Sequence, residues 1–372
     1  MIRPNSEEEL AGIVAGAKRA LSIQGGGTRG FADNATGERL TSAAITGITL
    51  YEPGALTLVA RAGTPVEEIR ERLAKDNQRL PFEPMDHRAL LGTTGEPTIG
   101  GVVAANVSGP RRVMVGAARD YVLGLRFVDG RGTVIRNGGR VMKNVTGYDL
   151  VKLLSGSYGT LGILTEVSLK VLPKVAASAT VVLKGLSDAQ AVAAMAAGLG
   201  SPFEVSGASH NPGTGETLLR LEGFAESVRY RSERLAELLK PFAPPRIEAN
   251  PDAVAKLWAA IRDVTAFAGK DGDVWRLSVK PSDAPALVAR AGAKQALYDW
   301  GGGLVWLRAE ADTDLRASLG ACAGHATLIR ASAETRARLG VFQPEPAPLA
   351  RLSAGLRAQF DPRGILNPGM MG

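Results

Sequence analysis

Cysteine and histidine are the residue types that this chain of 372 residues uses least. The single cysteine, Cys322, excludes an internal disulfide, which favours a reducing compartment. It also excludes an iron–sulfur cluster held by this chain alone, because such a cluster needs several thiolates. The three histidines, His87, His210 and His325, lie far apart in the sequence, and we therefore predict no metal site.

Long apolar runs and clustered basic residues are also missing. No run approaches the ~18 apolar residues that a membrane-spanning helix needs, and the first residues lack the basic-then-apolar pattern of a secretion signal. We therefore expect a cytoplasmic protein that reaches the inner membrane only through partners. Aromatic residues make up 5% of the chain and the arginines are dispersed, so we expect no nucleic-acid binding. The net charge of +7 and the pI near 9.6 suit an anionic cofactor, an acidic substrate or an acidic partner.

Glycine, by contrast, is abundant, with 45 residues, well above the usual ~7% of a chain. It is concentrated in three clusters, Gln24–Phe31, Thr98–Gly116 and Gly156–Ile163. The cluster Thr98–Gly116 alone is equally compatible with a tight bend at a sheet corner. Together they indicate one long, flat, anionic ligand, because a backbone without Cβ atoms can lie directly against such a molecule.

The first cluster matches the dinucleotide pattern G-x-G-x-x-G at Gly25–Gly30. A nicotinamide-type fold needs a helix directly after this pattern, whereas the residues up to Thr41 are polar and typical of turns. We interpret the cluster as a nest of backbone N–H groups that wraps a phosphate. A plain surface turn is the alternative.

Local patterns predict the elements around these clusters. Two capping boxes, Ser6–Glu9 and Thr64–Glu67, predict helices that run to about Arg19 and Asp76, and a short helix is predicted at Tyr148–Leu154. The predicted strands are Ala20–Gln24, Ala43–Tyr51 with a turn at Gly47, a half-buried strand at Leu56–Arg61, Tyr121–Val128, Gly132–Arg136 and Leu161–Leu172.

From Ala176 onwards, alanine-rich helical patterns alternate with short strands, which predicts an α+β domain on an antiparallel sheet. The predicted helices are Asp188–Leu199, Val228–Leu239, Pro251–Ala268 and Ala284–Trp300, and the predicted strands are Thr217–Leu221, Val274–Lys280 and Leu304–Ala309. We place the domains at residues 1–173 and 174–342. Residues 343–372 form a C-terminal segment with a proline-rich linker, a helix at Leu349–Phe360 and a tail.

Four separated motifs carry a resemblance to a known family. They are QGGGTRGF at Gln24–Phe31, PTIGGVVAAN at Pro97–Asn106, the stretch RVMKNVTGYDLVKLLSGSYGTLGILTEVSLKVLP at Arg140–Pro173, and the closing FDPRGILNPG. In this order they resemble the flavin-binding half of the vanillyl-alcohol oxidase / p-cresol methylhydroxylase (PCMH) superfamily. Within it, Glu83–Pro84 followed by TIGGVVAANVSGPRR and VMKNVTGYDL resembles the FAD-binding E-subunit family of bacterial glycolate oxidase (glycolate dehydrogenase).

The resemblance implies an α+β fold: a two-subdomain PCMH-type FAD-binding domain, an α+β cap or substrate domain, and a C-terminal tail that returns to the FAD domain. It implies that Gly25–Gly30 cradle the pyrophosphate of FAD. Thr98–Asn106 with Gly109 and Pro110 would line the isoalloxazine and ribityl chain, and Gly159, Gly162 and Ile163 would hold the adenosine end. The full set of implied cofactor-binding residues is Gln24, Gly25, Gly26, Gly27, Thr28, Arg29, Gly30, Phe31, Pro84, Thr98, Ile99, Gly100, Gly101, Ala104, Ala105, Asn106, Gly109, Pro110, Gly116, Gly159, Gly162, Ile163 and Asn367.

Two departures from the family's patterns matter. Members with covalent flavin use a histidine in the pyrophosphate loop, and Gln24–Phe31 contains none, so we expect noncovalent FAD. Related 2-hydroxyacid dehydrogenases place two histidines and an acid on a metal near the substrate, and this chain lacks that histidine spacing. The resemblance therefore implies a subunit of a glycolate dehydrogenase complex, beside a catalytic flavoprotein sister subunit and an iron–sulfur subunit.

Oxidation of glycolate to glyoxylate needs a cation for the carboxylate and a base for the hydroxyl proton. Arg111, Arg112 and Arg276 are candidate carboxylate ligands, since guanidinium groups bind carboxylates bidentately; a solvated surface charge is the alternative for each. His210 is a candidate base, although a loop histidine is more often structural, and we assign no catalytic base. A stand-alone FAD-dependent hydroxyacid or polyol oxidase or dehydrogenase and a flavin-free scaffold are the rival functions.

Overall fold

The computed structural model describes residues 1–30, 36–141 and 147–371. The helices are α1 Glu7–Gly16, α2 Val66–Ala74, α3 Arg88–Leu91, α4 Ile99–Ala104, α5 Arg112–Val115, α6 Leu150–Leu154, α7 Asp188–Leu199, α8 Ala225–Leu239, α9 Pro251–Arg262, α10 Ala284–Ala291, α11 Leu315–Leu319, α12 Ala333–Leu339 and α13 Ala347–Phe360. The strands are β1 Leu21–Gln24, β2 Glu38–Thr41, β3 Ile48–Glu52, β4 Thr57–Arg61, β5 Gln78–Arg79, β6 Val122–Val128, β7 Val134–Gly138, β8 Ile163–Lys170, β9 Leu172–Pro173, β10 Ala177–Lys184, β11 Gly207–Asn211, β12 Glu216–Gly223, β13 Arg246–Glu248, β14 Asp273–Val279, β15 Gln295–Asp299, β16 Leu304–Ala309 and β17 Gly324–Arg330.

The chain forms two compact units. The first contains residues 1–108, 117–174 and 344–372, and the second contains residues 109–116 and 175–343. The segment 109–116, which the sequence places in the first domain, thus packs with the second unit. Two contacts with distant residues hold it there. Arg111 pairs with Glu222 on β12, and the indole of Trp300 donates a hydrogen bond to the carbonyl of Gly109.

The first unit is built on a five-stranded antiparallel sheet in the order β3-β4-β8-β6-β7. Two further pairs are separate from this sheet: β1 pairs with β2 in parallel, and β5 pairs with β9. The expected half-buried pattern of Leu56–Arg61 is wrong, because Thr57, Leu58, Val59 and Ala60 are all buried. The strand β4 lies between two neighbours, and both of its faces are covered.

The predicted ends of several elements in this unit need correction. Ser6 caps α1 as expected, accepting a hydrogen bond from the N–H of Glu9, but the helix ends at Gly16. Thr64 does not cap α2, because its hydroxyl accepts from the N–H of Gly47 at 2.9 Å. Residues 43–47 form a turn and no strand, whereas Glu38–Thr41, expected to be a turn, pairs with β1.

The second unit is built on an eight-stranded antiparallel sheet in the order β13-β10-β12-β11-β15-β16-β14-β17. Its main core lies between the sheet and helices such as α7, α8 and α10. The expected helix Ala284–Trp300 is wrong in its second half. Gly292 adopts a left-handed conformation (φ +61°) that ends α10, and the following residues form β15.

Candidate functional site

The first unit contains a cavity whose lining includes residues of all three glycine clusters. Its walls come from the loop after β1, from α4 with its two flanking residues, from the segment before β8 and from the C-terminal tail. It is lined by Ile23, Gln24, Gly25, Gly26, Gly27, Thr28, Arg29, Gly30, Ser42, Thr98, Gly100, Gly101, Ala104, Ala105, Tyr158, Gly159, Gly162, Ile163, Leu164, Asn367 and Met370.

The loop after β1 is pressed against residues 95–98. A Cβ at Gly26 would lie 1.6 Å from the carbonyl oxygen of Glu96, and a Cβ at Gly95 would lie 1.7 Å from the carbonyl oxygen of Gly26. Within the described residues, the backbone N–H groups of residues 25–29 donate to no other protein group. This arrangement fits an anionic ligand, because a row of free N–H groups in a glycine loop is a phosphate-binding device.

Arg29 supplies the positive charge of the cavity wall. Its guanidinium donates a hydrogen bond to the carbonyl oxygen of Gly101 on α4. Desolvation lowers the pKa of Arg29, which means that its charged form gains from an anion placed beside it. The side chain and the N–H groups of its own loop together suit a pyrophosphate.

At the two glycines of α4, an added Cβ would meet different kinds of atoms. A Cβ at Gly100 would lie 2.6 Å from the Cβ and 2.7 Å from the carbonyl oxygen of Ala62, which follows β4. A Cβ at Gly101 would instead meet side-chain atoms, 3.1 Å from Oγ1 of Thr98 and 3.3 Å from a guanidinium nitrogen of Arg29. Gly100 therefore permits the helix to pack on the sheet, whereas Gly101 keeps the cavity open.

Asn367 ties the C-terminal tail into the cavity wall. Its side chain is buried, with 2% of the residue exposed. Its Oδ1 accepts from the N–H of Ile23 at 2.6 Å, and its Nδ2 donates to the carbonyl oxygen of Tyr158 at 2.8 Å. The tail thus returns to β1 and links it to the segment before β8, as the resemblance implies.

That segment also uses its glycines for packing. Gly159 has φ +76°, and a Cβ there would lie 3.1 Å from Nδ2 of Asn367. A Cβ at Gly162 would lie 2.4 Å from the ring of Phe127 on β6. Both residues line the cavity, and at both positions a side chain would also crowd a neighbouring protein side chain.

Some of the residues implied by the resemblance lie elsewhere. Pro84 lines a separate hollow beside Arg70, Ile99 is fully buried, and the side chain of Asn106 accepts from the N–H of Arg119. Gly109, Pro110 and Gly116 belong to the second unit, and Phe31 lies outside the described residues. The wall residues missed by sequence reasoning are Ile23, Ser42, Tyr158, Leu164 and Met370. Apart from Ser42, each is within three residues of a predicted one, which is the only signal that could have found them.

The second unit contains a cationic cluster around Trp300. The guanidinium carbon of Arg112 lies 4.6 Å from the centroid of this indole, and that of Arg276 lies 5.2 Å from it. The indole N–H donates to the carbonyl of Gly109 at 3.0 Å, which fixes the ring. Partial desolvation and the charge of Arg276 lower the pKa of His325. Two of the three predicted carboxylate ligands are therefore arranged on one aromatic ring.

Arg111 has a different role from the one predicted. Its Nε and Nη2 donate to the two carboxylate oxygens of Glu222 at 2.8 and 2.6 Å, and only 6% and 7% of the two side chains are exposed. Because this buried bidentate pair already engages the guanidinium with an internal carboxylate, Arg111 holds the segment 109–116 on β12. The expectation that it binds substrate is corrected accordingly.

His210 is a strand residue and not a loop residue. It lies on β11, fully buried, with Nδ1 2.9 Å from Oγ1 of Thr217 and Nε2 3.4 Å from a carboxylate oxygen of Asp188. The hydroxyl of Tyr298 donates to the same carboxylate at 2.6 Å. Burial lowers the pKa of His210, and Asp188 opposes this shift. The residue belongs to a core network and reaches no cavity described above.

This burial predicts a pH dependence of stability. The unfolded chain binds a proton at His210 below about pH 6.5, whereas the folded chain resists protonation there. The free energy of unfolding should therefore fall as the pH drops from 7.5 to 5.5, with a part due to His210 on the order of 1 kcal/mol. Urea titrations of the wild type and His210→Gln at both pH values measure that part. Equal slopes in the wild type and His210→Gln would contradict the prediction.

Within residues 1–30, 36–141 and 147–371, no three His, Cys, Asp or Glu side chains form a group that could hold a metal. No helix in those ranges is long and apolar enough to cross a membrane.

Known proteins similar to this chain include FAD-binding ones, which is consistent with a cofactor cavity in the first unit. Residues 1–138 match the family model described as FAD binding domain. The chain is 37% identical over 357 residues to glycolate oxidase subunit GlcE of Escherichia coli, covering 95% of this chain and 93% of that protein. Over 77 residues it is 51% identical to glycolate oxidase subunit GlcD of Bacillus subtilis, covering 21% of this chain and 16% of that protein.

The fold is also found in a solved structure. Alkyldihydroxyacetonephosphate synthase superposes with a TM-score of 0.70 at 16% identity, over 98% of this chain and 76% of that one, which supports the expected α+β, PCMH-type architecture. The cavity of glycines, free N–H groups and one arginine agrees with a family of FAD-binding proteins. With 37% identity over nearly its whole length, the chain belongs to the GlcE family of glycolate oxidase subunits.

Proposed function

We propose that this chain is the FAD-binding subunit of a glycolate dehydrogenase complex. The complex oxidises glycolate, a 2-hydroxy acid, to glyoxylate and passes the electrons to a partner or a quinone-linked acceptor. The observation that carries this proposal is the cavity of the first unit, built by the segments that match the family's flavin motifs. The identity to a GlcE subunit across 95% of the chain supports the substrate assignment.

We propose that different cavity residues bind different parts of FAD. When bound, FAD supplies the hydride-accepting chemistry. In this proposal, the N–H groups of residues 25–29 and the guanidinium of Arg29 bind the pyrophosphate. The face of α4 that contains Gly101 and Ala104 would hold the flavin and ribityl chain. Gly159, Gly162 and Ile163 hold the adenosine end, and Asn367 fixes the tail beside them.

The flavin is expected to be bound without a covalent link. Neither histidine nor cysteine occurs among the described residues that line the cavity. Acid precipitation of the purified protein should therefore release all of its FAD into the supernatant, where its absorbance is measured. A coloured pellet after precipitation would be evidence for a covalent bond.

Arg112 and Arg276 are proposed to bind the carboxylate of the 2-hydroxy acid. Their guanidinium groups are held on the ring of Trp300, and Arg276 is only partly buried on β14. Arg276→Lys keeps the charge and removes the planar fork, so the KM for glycolate should rise about 10- to 100-fold. The kcat should change much less, since uniform binding is lost. Arg308→Lys on the adjacent strand β16 is the control, and an unchanged KM for Arg276→Lys would exclude the role.

The partners in this proposal are a catalytic flavoprotein sister subunit and an iron–sulfur subunit. A chain with one cysteine cannot hold a cluster, so an iron–sulfur electron carrier would have to come from another subunit. Contact with the inner membrane would be made through those subunits.

The test is purification of the native protein from its source under mild conditions. The proposal expects a complex that contains both partners and reduces an artificial dye with glycolate. If the chain purifies alone and turns over a hydroxy acid with the dye, it is a stand-alone dehydrogenase. If it purifies without flavin and FAD does not bind on addition, the flavoprotein assignment fails.

A further inference from the structure

The C-terminal helix α13 is unusual in the first unit because none of its 14 residues is buried. Its three leucines are exposed, with 53% of Leu349, 66% of Leu352 and 43% of Leu356 accessible to solvent. Residues spaced by three and four lie on one face of a helix. The three leucines therefore form a continuous apolar stripe, which we call the leucine face. A contiguous exposed patch of this kind marks an interaction site.

The leucine face is held in a fixed orientation. The carbonyl of Phe360 accepts from the N–H of Gly130 at 2.8 Å, and the ring of Phe360 lies 6.1 Å from that of Phe127. The carbonyl of Gln359 accepts from Arg131 at 2.7 Å. These contacts anchor the C-terminal end of α13 to the loop after β6. A preformed face of this sort binds a partner without a large cost of ordering.

The charges of α13 select the type of partner. Arg351 and Arg357 are the charged residues of the helix and both are basic; Arg357 also donates to the carbonyl oxygen of Met371 at 2.9 Å. A second copy of the chain would bring arginines towards arginines, which costs free energy. A partner with an acidic rim around an apolar groove complements both the leucines and the arginines, and the net charge of +7 attracts it over a longer range.

We infer that the leucine face of α13 docks into an acidic-rimmed apolar groove on the flavoprotein sister subunit. This inference rests on the proposed function, which requires such a subunit. It assigns the contact to a surface that the cavity and the cationic cluster do not use, so the surface can change while flavin binding stays intact.

The test is co-expression of the tagged chain with the sister flavoprotein and the iron–sulfur subunit. The variant replaces the leucine face by Leu349→Gln, Leu352→Gln and Leu356→Gln. The sister subunit that co-elutes per tagged chain is expected to fall at least tenfold, with FAD content unchanged. The matched control replaces three exposed apolar residues of the second unit, Tyr230→Gln, Leu238→Gln and Ile247→Gln, and should co-elute like the wild type.

Two further variants keep the test decisive if the triple variant does not fold. Leu352→Gln changes only the most exposed leucine, and Arg351→Glu reverses a charge beside it. Each should weaken co-elution, and Arg351→Glu should do so more strongly at low salt than at high salt. Co-elution equal to the wild type in all three variants would overturn the inference and leave the proposed function standing.

Other occupants of the leucine face give different results. A change in the oligomeric state of the isolated chain, measured by light scattering, would show that a second copy covers it. Loss of binding to vesicles of anionic phospholipid would show a membrane contact. Either outcome, without a change in co-elution, overturns the inference. If the wild type itself captures no sister subunit, the proposed complex fails as well.

Discussion

Replacing Gly101 by valine is expected to give a folded chain that no longer retains FAD. A Cβ at this position would meet only the ends of two side chains, Oγ1 of Thr98 at 3.1 Å and a guanidinium nitrogen of Arg29 at 3.3 Å. Flexible side chains can move by such amounts, so the fold should survive. The two methyl groups of valine would then occupy the cavity that Gly101 lines and displace Arg29 from its hydrogen bond.

The measurement is the ratio of flavin to protein absorbance after purification in excess FAD. We expect less than a tenth of the wild-type ratio, with a change in unfolding free energy within about 1 kcal/mol. Gly12→Val is the matched control, since Gly12 also lies within a helix of the first unit and a Cβ added there would have no atom within 4 Å. It should keep its flavin. Full flavin content in a folded Gly101→Val protein would refute our placement of the cofactor.

In contrast to Gly101→Val, the Gly100→Val variant is expected not to fold. Its side chain would meet the backbone of Ala62, with a carbonyl oxygen 2.7 Å from the Cβ. Backbone atoms at the end of a buried strand cannot move aside, so this variant should lose its fold as well as its flavin. Circular dichroism distinguishes the two variants, because only Gly101→Val should keep a native spectrum.

Replacing Asn367 by leucine is expected to destabilise the first unit by about 2–4 kcal/mol. Leucine has a similar size but cannot accept from the N–H of Ile23 or donate to the carbonyl of Tyr158. Both backbone groups would remain in a wall where Asn367 is 2% exposed, and each would lose a partner. The tail would also lose its link to β1, so the affinity for FAD should fall.

Urea unfolding of the flavin-free protein measures the loss of stability, and fluorescence titration with FAD measures the affinity. Gln359→Leu is the control, because Gln359 is an exposed amide in the same C-terminal segment and should unfold like the wild type. A midpoint for Asn367→Leu equal to that of the wild type would show that the tail is dispensable for the cavity wall.

Particular residues show how far sequence reasoning reached. Ser6 caps the helix that the pattern Ser6–Glu9 predicts, because a cap of this kind depends on four adjacent residues. Asp188–Leu199 and Leu304–Ala309 were predicted with the limits that the structure shows, since their patterns are strong and local. Strands such as β11 and β15 were missed, because a strand is stabilised by partners that are distant in the chain. His210 was therefore predicted on a loop and lies on a buried strand.

The candidate site also combines features that the sequence predicts with features that depend on distant segments. The sequence alone predicted that three glycine clusters serve one ligand and showed that one cysteine cannot hold a cluster, and the family resemblance implied that Asn367 returns to the same site. Only the tertiary structure decided which glycines face the cavity and which face protein backbone, and that Arg111 pairs with Glu222 while Arg112 and Arg276 share Trp300. The reason is physical: a sequence records that a side chain is missing or charged, but the space and the countercharge come from segments folded against it.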